Sequence, residues 1–274
     1  MIYFITNHHT TDKWIEIQST YLKRNTPHDT DYKVCCGITE TPESQYLKDK
    51  KENNYIFYNL DYAKNDHSVK LNELFEKCKK DFAPKDEDVL IFIDPDAFPI
   101  SPSWVDIIKK PLEKGDVPFI AVCREENIEP LLREDQKPYP HACFSVTTYG
   151  FWESNNLSWE LDPAQGASCA GVLLAQWLKK HKHPWKMLLR SNVYNLHPLN
   201  YAIYGGIIYH HGSGNRPTYD SVDIWSRPTL ANKHGVGIDL HYPKLLDFNE
   251  EISSLVFDYI TKDKEFIHYY FLGQ

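Results

Sequence analysis

Long apolar runs are absent from the 274-residue sequence, and none approaches the roughly 20 residues that a membrane-spanning helix needs. We therefore expect no transmembrane segment. The first residues lack the basic cluster and the extended apolar stretch of a secretory signal peptide, so we expect a cytoplasmic protein. The sequence also contains no repeat with a period of about 20 to 50 residues and no low-complexity tract. With 42% apolar and 25% charged residues, its composition is typical of a folded globular protein.

An excess of positive charge is missing as well. The sequence has 30 Lys and Arg residues against 38 Asp and Glu residues, which gives a formal net charge of -8. Proteins that bind nucleic acids hold the phosphate backbone with clustered Lys and Arg, so we expect no nucleic-acid partner. The six cysteines include no CxxC pair and no zinc spacing, which indicates reduced thiols in the core without a catalytic role.

Short apolar segments alternate with amphipathic helical patterns along the chain. Strand-like segments occur at 2–6, 32–36, 55–58, 89–93 and 119–123, and helical patterns occur at 11–23 and 69–81. Farther along, the pattern predicts a helix at 167–180, strands at 187–189, 202–204 and 207–209, and a last helix at 250–260. Strands that alternate with helices indicate an α/β fold with a mixed, mainly parallel central sheet flanked by helices.

Two aspartates follow the most apolar of these strands. The run at 89–93 is continuous, as expected for a central strand covered on both faces, and Asp94-Pro95-Asp96 ends it abruptly. Carboxylates at positions i and i+2 point into the crevice at the carboxyl edge of the sheet, where open α/β sheets bind ligands. Their hard oxygens suit Mg²⁺ or Mn²⁺, either of which can bridge two phosphates. The alternative is that both aspartates only cap a turn.

With the apolar run before it and Ala97-Phe98-Pro99-Ile100 after it, the aspartate pair resembles the DxD motif of GT-A glycosyltransferases, which use nucleotide-diphospho-sugars. The resemblance implies a Rossmann-like GT-A catalytic domain over 1–217, with 218–274 as a C-terminal helical extension packed on the same domain. It also implies the metal-dependent transfer of a hexosyl or pentosyl group from a nucleotide-diphosphate sugar, most simply a UDP-sugar. The acceptor would be a hydroxyl of a glycan or of another molecule.

A second segment resembles the same family. The glycogenin-like and lipopolysaccharide galactosyltransferase branch carries the pattern H-x-x-G-x-x-K-P, and residues 211–217 read HGSGNRP. This segment is one residue shorter between the glycine and the cation, and Arg replaces Lys. The resemblance implies that His211 joins Asp94 and Asp96 as a metal ligand and that Arg216 binds phosphate. His210 points to the opposite face if the preceding strand extends that far, and it is the substitute ligand and a candidate sugar contact.

The resemblance also implies contacts with the nucleotide. It puts the base over the end of the first strand, at Thr6 and Asn7, and Asp94 contacts the donor through the metal. A basic residue followed by Leu on the helix before the DxD strand touches the donor in the related galactosyltransferases, and Lys70-Leu71 is the nearest counterpart. The alternatives are a simple strand-end turn at Thr6 and Asn7, and a solvated surface lysine at Lys70.

An aromatic segment between the two motifs is a candidate wall for the acceptor. Trp152 and Trp159 could stack on the C–H face of a sugar, although core packing explains either residue equally well. Asp162 is the first candidate for the base that takes the proton of the attacking hydroxyl, and Glu160 is the second. In an enzyme that retains anomeric configuration, the same carboxylate could orient the substrate.

Two other functions use the same features. A metal-dependent phosphohydrolase that acts on nucleotide or sugar phosphates also needs two aspartates and a histidine, and it would release phosphate without an acceptor. A non-catalytic carbohydrate-binding protein could use the aromatic residues alone and would not need a metal. A dependence of nucleotide-sugar binding on Mn²⁺ separates the transferase from both.

Overall fold

The structure is a computed structural model of the chain. It describes residues 1–8, 13–38, 54–60, 67–123, 138–161, 170–192, 201–212, 256–258 and 260–262. Within these ranges, none of the helices is both long enough and apolar enough to cross a bilayer.

Four parallel strands form one half of the central sheet. They are β1 (Ile2–His8), β2 (Tyr32–Ile38), β3 (Tyr55–Asn59) and β4 (Val89–Ile93), with helix α1 (Lys13–Asn25) after β1 and helix α2 (His67–Phe82) before β4. They lie in the order β3-β2-β1-β4, and each neighbouring pair is parallel. Their C-terminal ends therefore share one edge of the sheet. The sequence predicts all four strands and both helices, with ends that differ by a few residues.

Three more strands complete the sheet beyond β4. They are β6 (Phe119–Cys123), β7 (Pro140–Thr148) and β8 (Trp185–Leu188), and the helices of this half are α3 (Trp104–Glu113), α4 (Tyr149–Ser154) and α5 (Val172–Lys180). The order continues β4-β7-β6-β8. Strand β7 is antiparallel to both of its neighbours, whereas β6 and β8 are parallel to each other. The predicted mixed, mainly parallel sheet flanked by helices is confirmed.

A small antiparallel sheet lies next to the aspartate pair. It consists of β5 (Ala97–Pro99), β9 (Ala202–Tyr204) and β10 (Ile208–His210), in the order β5-β10-β9. In this sheet His210 is paired with Ala97, so the chain returns to Asp94-Pro95-Asp96 more than a hundred residues later. This pairing brings the two segments that carry the predicted motifs together.

The core lies on both faces of the central sheet, and β4 contributes to each face. Ile91 and Ile93 belong to one buried cluster, with Phe4 and Trp104. Phe92 belongs to the cluster on the other face, together with residues of α2, α4 and the segment after α4. A strand covered on both faces is apolar at every position because successive side chains alternate between the faces.

The part of the chain after residue 212 is described only at 256–258 and 260–262, both of which are helical and fall at the end of the predicted helix 250–260. Val256 and Ile260 are buried in a third cluster with Trp14 of α1 and Tyr209 of β10. The rest of the predicted extension, 218–274, lies outside the described residues. The division at residue 217 therefore stays a prediction.

The cysteines that the structure describes are all buried, and none of these is in a disulfide. They are Cys35, Cys36, Cys78, Cys123 and Cys143. Their burial agrees with the prediction of reduced core thiols, while the sixth, Cys169, lies outside the described residues.

Candidate active site

The aspartate pair occupies a tight turn at the end of β4. The backbone N–H of Asp94 donates to the carbonyl oxygen of Cys143 on β7 at 3.1 Å, which continues the pairing of the two strands by one residue. The N–H of Ala97 then donates back to the carbonyl oxygen of Asp94 at 3.1 Å and closes the turn around Pro95. The side chain of Asp94 is 18% exposed and that of Asp96 is 6% exposed. Both carboxylates therefore lie at the edge of the protein interior, where an uncompensated charge is costly.

His210 lies between the two carboxylates. Its Nε2 is 3.3 Å from Oδ2 of Asp94 and 3.4 Å from Oδ1 of Asp96. The side chain is 3% exposed. The position of His210 follows from the pairing of β10 with β5, which starts directly after Asp96. His210 therefore contacts both aspartates.

A second histidine contacts the pair from α2. Nε2 of His67, the first residue of that helix, lies 3.1 Å from Oδ1 of Asp94. Its side chain is 40% exposed, so His67 approaches from the solvent side whereas His210 approaches from the interior. His67 cannot be assigned to the site from the sequence, because no pattern in the residues around it indicates that the start of α2 contacts the end of β4.

Burial and the neighbouring charges act in opposite directions on the pKa values of Asp94, Asp96 and His210. Burial alone would raise the pKa of Asp94, but hydrogen bonds with His210 and His67 outweigh it and hold the pKa well below its usual range. Burial also opposes ionisation of Asp96, yet its pKa is lowered, chiefly by His210. The pKa of His210 is raised well above its usual range, because Cys143 and both aspartates outweigh the effect of burial. The ionised forms of the two carboxylates and the protonated form of the imidazole therefore stabilise one another.

These residues fit a divalent cation. Ligand atoms that are each about 2.1 Å from one cation lie roughly 3 Å apart, which is close to the 3.3 and 3.4 Å from His210 to the carboxylates. Carboxylate oxygens and a neutral imidazole are a suitable donor set for Mn²⁺ or Mg²⁺, and the cation can take the place of the imidazole proton. Nδ1 of His210 is buried without a hydrogen-bond partner among the described residues, so its environment is incomplete without a further polar group.

Gln18 of α1 fixes the turn that carries the aspartates. Its Nε2 donates to the carbonyl oxygens of Asp94 and Ala97, both at 2.9 Å, and its Oε1 is 3.4 Å from Nε2 of His8. The side chain is fully buried. The helical pattern of the sequence puts Gln18 on the apolar face of α1, and a polar residue on an apolar face is a signal of a specific partner. The sequence analysis did not assign it to the site.

His211 has different surroundings from His210. Its ring centroid is 4.7 Å from that of Trp14 and 4.9 Å from that of Tyr201, and its Nδ1 is 3.0 Å from the hydroxyl oxygen of Tyr209. Its backbone N–H donates to the carbonyl oxygen of Asp96 at 3.0 Å. The assignment of His211 as the metal ligand stays a prediction, and the contacts of His210 with both carboxylates make that residue the better candidate.

Two of the predicted nucleotide contacts lie at the C-terminal edge of the parallel strands. Thr6 and Asn7 are near the C-terminal end of β1, beside β4, and their side chains are buried. Oγ1 of Thr6 has no hydrogen-bond partner among the described residues. Lys70 is not a solvated surface residue, because it is only 5% exposed and its Nζ is 3.2 Å from Oε2 of Glu73. Arg216 lies outside the described residues.

The two tryptophans predicted to contact sugar are core residues. Trp152 is 1% exposed and Trp159 is fully buried, and the ring centroid of Phe92 is 4.6 Å from the first and 5.4 Å from the second. Neither indole has a face available for a sugar, so this interpretation is corrected in favour of core packing. Glu160, which follows Trp159, is exposed, whereas Asp162 lies outside the described residues.

The comparison with known proteins establishes the fold. No protein-family model matches the sequence, and no curated protein matches it. The structure is similar to S. aureus TarS 1-349 in complex with UDP-GlcNAc, with a TM-score of 0.51, 12% identity and coverage of 97% of this chain and 74% of that chain. It is also similar to the mannosyltransferase PcManGT from Pyrobaculum calidifontis in complex with GDP-Man and Mn2+, with a TM-score of 0.53, 8% identity and coverage of 96% and 70%. The chain has the GT-A fold.

Proposed function

We propose that this protein is a metal-dependent glycosyltransferase that moves a hexosyl or pentosyl group from a UDP-sugar to a hydroxyl of a glycan or another acceptor. The observation that carries the proposal is the convergence of Asp94, Asp96 and His210 at the carboxyl edge of β4 in a GT-A fold. Support for the donor class comes from the two similar proteins, whose structures contain UDP-GlcNAc and GDP-Man.

Asp94, Asp96 and His210 are the proposed ligands of Mn²⁺ or Mg²⁺. A cation held there would stabilise the negative charge that develops on the diphosphate leaving group. The two carboxylates supply anionic oxygens, and His210 supplies a nitrogen after it releases its proton to solvent. His67 orients the carboxylate of Asp94 from the solvent side.

The remaining contacts follow from the same edge of the sheet. Thr6 and Asn7, at the end of β1, are proposed to bind the base. The hydroxyl of Thr6, which has no hydrogen-bond partner within the described ranges, is the first candidate donor. Lys70 on α2 and Arg216 after β10 are proposed to bind the donor phosphates. Both are cationic, and phosphate oxygens are the groups that they bind best in a partly buried site.

The acceptor hydroxyl needs a base in an inverting reaction. Asp162 remains the first proposal and Glu160 the second. Glu160 is exposed, and the backbone N–H of the residue before it, Trp159, donates to Oδ1 of Asn72 on α2 at 2.9 Å. This bond fixes the segment that carries Glu160 relative to the helix whose first residue, His67, contacts Asp94.

A thermal-shift experiment tests the proposal. UDP-sugars and GDP-sugars are added with and without Mn²⁺, and a UDP-sugar is expected to raise the melting temperature only when Mn²⁺ is present. A ligand at a hundred times its dissociation constant contributes about 2.7 kcal/mol, or about 5 to 10 °C for a chain of this size. Asp96→Ala is expected to abolish the shift. A protein that is indifferent to every nucleotide would contradict the proposal, and phosphate release without an acceptor would indicate a phosphohydrolase.

The two adjacent histidines can be separated in the same assay. His210→Ala is expected to remove the Mn²⁺-dependent shift. His211→Ala is expected to retain it but to lower the melting temperature without ligand, because the ring of His211 packs against Trp14 and Tyr201. The reverse outcome would return the role of ligand to His211.

A further inference from the structure

Cys143 lies directly beside the two candidate ligands Asp94 and His210. Its Sγ, a carboxylate oxygen of Asp94 and an imidazole nitrogen of His210 all lie within 4.8 Å of one another. The carbonyl oxygen of Cys143 also accepts the backbone N–H of Asp94 at 3.1 Å, which fixes the two residues relative to each other. Cys143 is fully buried on β7.

The surroundings of this thiol differ from those of Cys36 and of the pair Cys35 and Cys78. A buried cysteine usually acts as a small apolar side chain, and Cys36 is an example, since its Sγ has the backbone oxygen of Gly37 as its polar neighbour at 3.9 Å. Cys35 has Cys78 as its neighbour. At Cys143 the sulfur instead faces a carboxylate and an imidazole, which are metal ligands.

The ring of His210 faces the site with Nε2, which lies 3.3 Å from Oδ2 of Asp94 and 3.4 Å from Oδ1 of Asp96. The imidazole is 97% buried, and its Nδ1 has no hydrogen-bond partner in the part of the chain that the structure describes. A buried nitrogen without a partner costs about 1 to 3 kcal/mol. The case for a bound cation rests on the nitrogen that faces the carboxylates and on the grouping of the three candidate ligands.

We propose that Sγ of Cys143 is a ligand of the cation held by Asp94 and His210, and that the thiolate raises the affinity of the site for thiophilic cations such as Cd²⁺ more than its affinity for Mn²⁺ or Mg²⁺. The proposal rests on the metal site of the proposed function. Carboxylate and imidazole ligands already favour Co²⁺ and Zn²⁺ over Mn²⁺, and thiolate, which is a soft ligand, adds a further preference for thiophilic cations that a site without sulfur lacks. On binding, the thiol releases its proton to solvent, and the sulfur binds the cation as thiolate.

Cobalt provides a direct measurement without nucleotide, sugar or activity. Co²⁺ is titrated into the whole protein, and the near-ultraviolet band of thiolate-to-cobalt charge transfer is recorded together with the visible bands of the bound ion. We expect the charge-transfer band to grow with the visible bands and to saturate with them. Zn²⁺ is expected to displace Co²⁺ and to remove both.

The variants Cys143→Ser and Cys36→Ser are a matched pair, because both residues are fully buried in the same cluster. Cys143→Ser is expected to lose the charge-transfer band and to bind Cd²⁺ at least about tenfold more weakly, with a smaller change for Mn²⁺. Cys36→Ser is expected to keep the band. Asp94→Asn is expected to weaken Co²⁺ binding as a whole.

Each outcome decides between the two proposals. If the wild-type protein binds Co²⁺ with visible bands but without the charge-transfer band, Cys143 is not a ligand, and the metal site of the proposed function stands. A band that disappears in Cys36→Ser also overturns the role of Cys143. If the wild-type protein binds none of Co²⁺, Cd²⁺ and Mn²⁺, the metal site itself is wrong and both proposals fall. Should Cys143→Ser fail to fold, Cys143→Ala is measured in its place, and a charge-transfer band that this variant keeps overturns the role of Cys143.

Discussion

Gln18 offers a quantitative test of how the aspartate turn is held. Gln18→Ala removes two hydrogen bonds of 2.9 Å, one to the carbonyl oxygen of Asp94 and one to that of Ala97. Each bond contributes about 1 kcal/mol net, and the truncation also leaves a cavity in a fully buried position. We expect the free energy of unfolding to fall by about 2 to 4 kcal/mol. Because the same bonds fix the backbone of the turn, we also expect the affinity for Mn²⁺ to fall about 10- to 100-fold.

Asn25 is the matched control. It lies two turns farther along α1, and its Nδ2 donates to the carbonyl oxygen of Pro99 at 2.8 Å, so it ties the same helix to the same segment beyond the aspartates. Asn25→Ala is expected to lose about 1 to 2 kcal/mol without a change in Mn²⁺ affinity. Urea unfolding gives the stability of each variant, and calorimetric titration of Mn²⁺ into the folded protein gives the affinity.

The shape-preserving variant Gln18→Glu separates the hydrogen bonds from the cavity. Its carboxyl group fills the same space but has at most one donor, and only when it is protonated, so it cannot donate to both carbonyl oxygens and is expected to weaken Mn²⁺ binding. If Gln18→Ala and Asn25→Ala lose similar stability and both keep the wild-type affinity, the turn is held by the pairing of β5 with β10, and the role assigned to Gln18 is refuted.

Two further predictions concern packing near the site. Gly171 has φ +100, and a Cβ there would lie 1.9 Å from the carbonyl oxygen of Pro140, so Gly171→Ala is expected to lose more than about 4 kcal/mol in urea unfolding. Gly115→Ala, with φ +71 and nothing within 4 Å, is expected to lose only about 1 to 2 kcal/mol, and equal losses would mean that β7 yields at Pro140. Trp152→Ala is expected to lose about 3 to 5 kcal/mol. Trp152→Phe is expected to leave acceptor and donor affinity unchanged, and weaker sugar binding by that folded variant would restore its predicted contact with sugar.

The strands of the parallel half of the sheet are predictable because their pattern is set by burial on both faces. In β4, Leu90 and Phe92 are buried on one face and Ile91 and Ile93 on the other, so every position is apolar. The strand ends at Ile93, and the charged residue Asp94 follows it. Local sequence contains all of this information, and β4 has the ends that the sequence predicts.

Strand β7 was not predicted, because it contains hydroxyl side chains at buried positions. Ser145 and Thr147 are both fully buried, and each donates to a backbone carbonyl oxygen, Ser145 to His141 at 2.9 Å and Thr147 to Pro118 at 2.8 Å. When their partners are not known, two hydroxyl side chains in a segment indicate that the segment is exposed. The sequence therefore predicts a wall of the acceptor site here instead of a buried strand. The partner of Thr147 comes from a different part of the chain, so the sequence alone does not reveal it.

The same limit applies to the site. The position of the aspartates follows from the strand before them, but His67 and Gln18 reach the turn from two helices, and their contacts depend on how α2 and α1 pack on the sheet. The sequence does mark Gln18 as a residue with a specific partner, because it is a polar residue on an apolar helix face. No such pattern marks His67. Residues that act through tertiary contacts are found from sequence only when they break a local pattern.

The choice between His210 and His211 depends on a single residue of register. Side chains alternate between the faces of a strand, so a shift of one position exchanges the two histidines. The pairing of His210 with Ala97 directs that imidazole to the aspartates. The resemblance to the galactosyltransferase pattern implies His211, because Gly212 and Gly214 follow it. In H-x-x-G-x-x-K-P, however, the cation comes six residues after the histidine. Counted from His210, Arg216 falls at that position and proline follows it, with Ser213 in place of the glycine. Geometry and spacing therefore agree on His210 as the histidine of the proposed metal site.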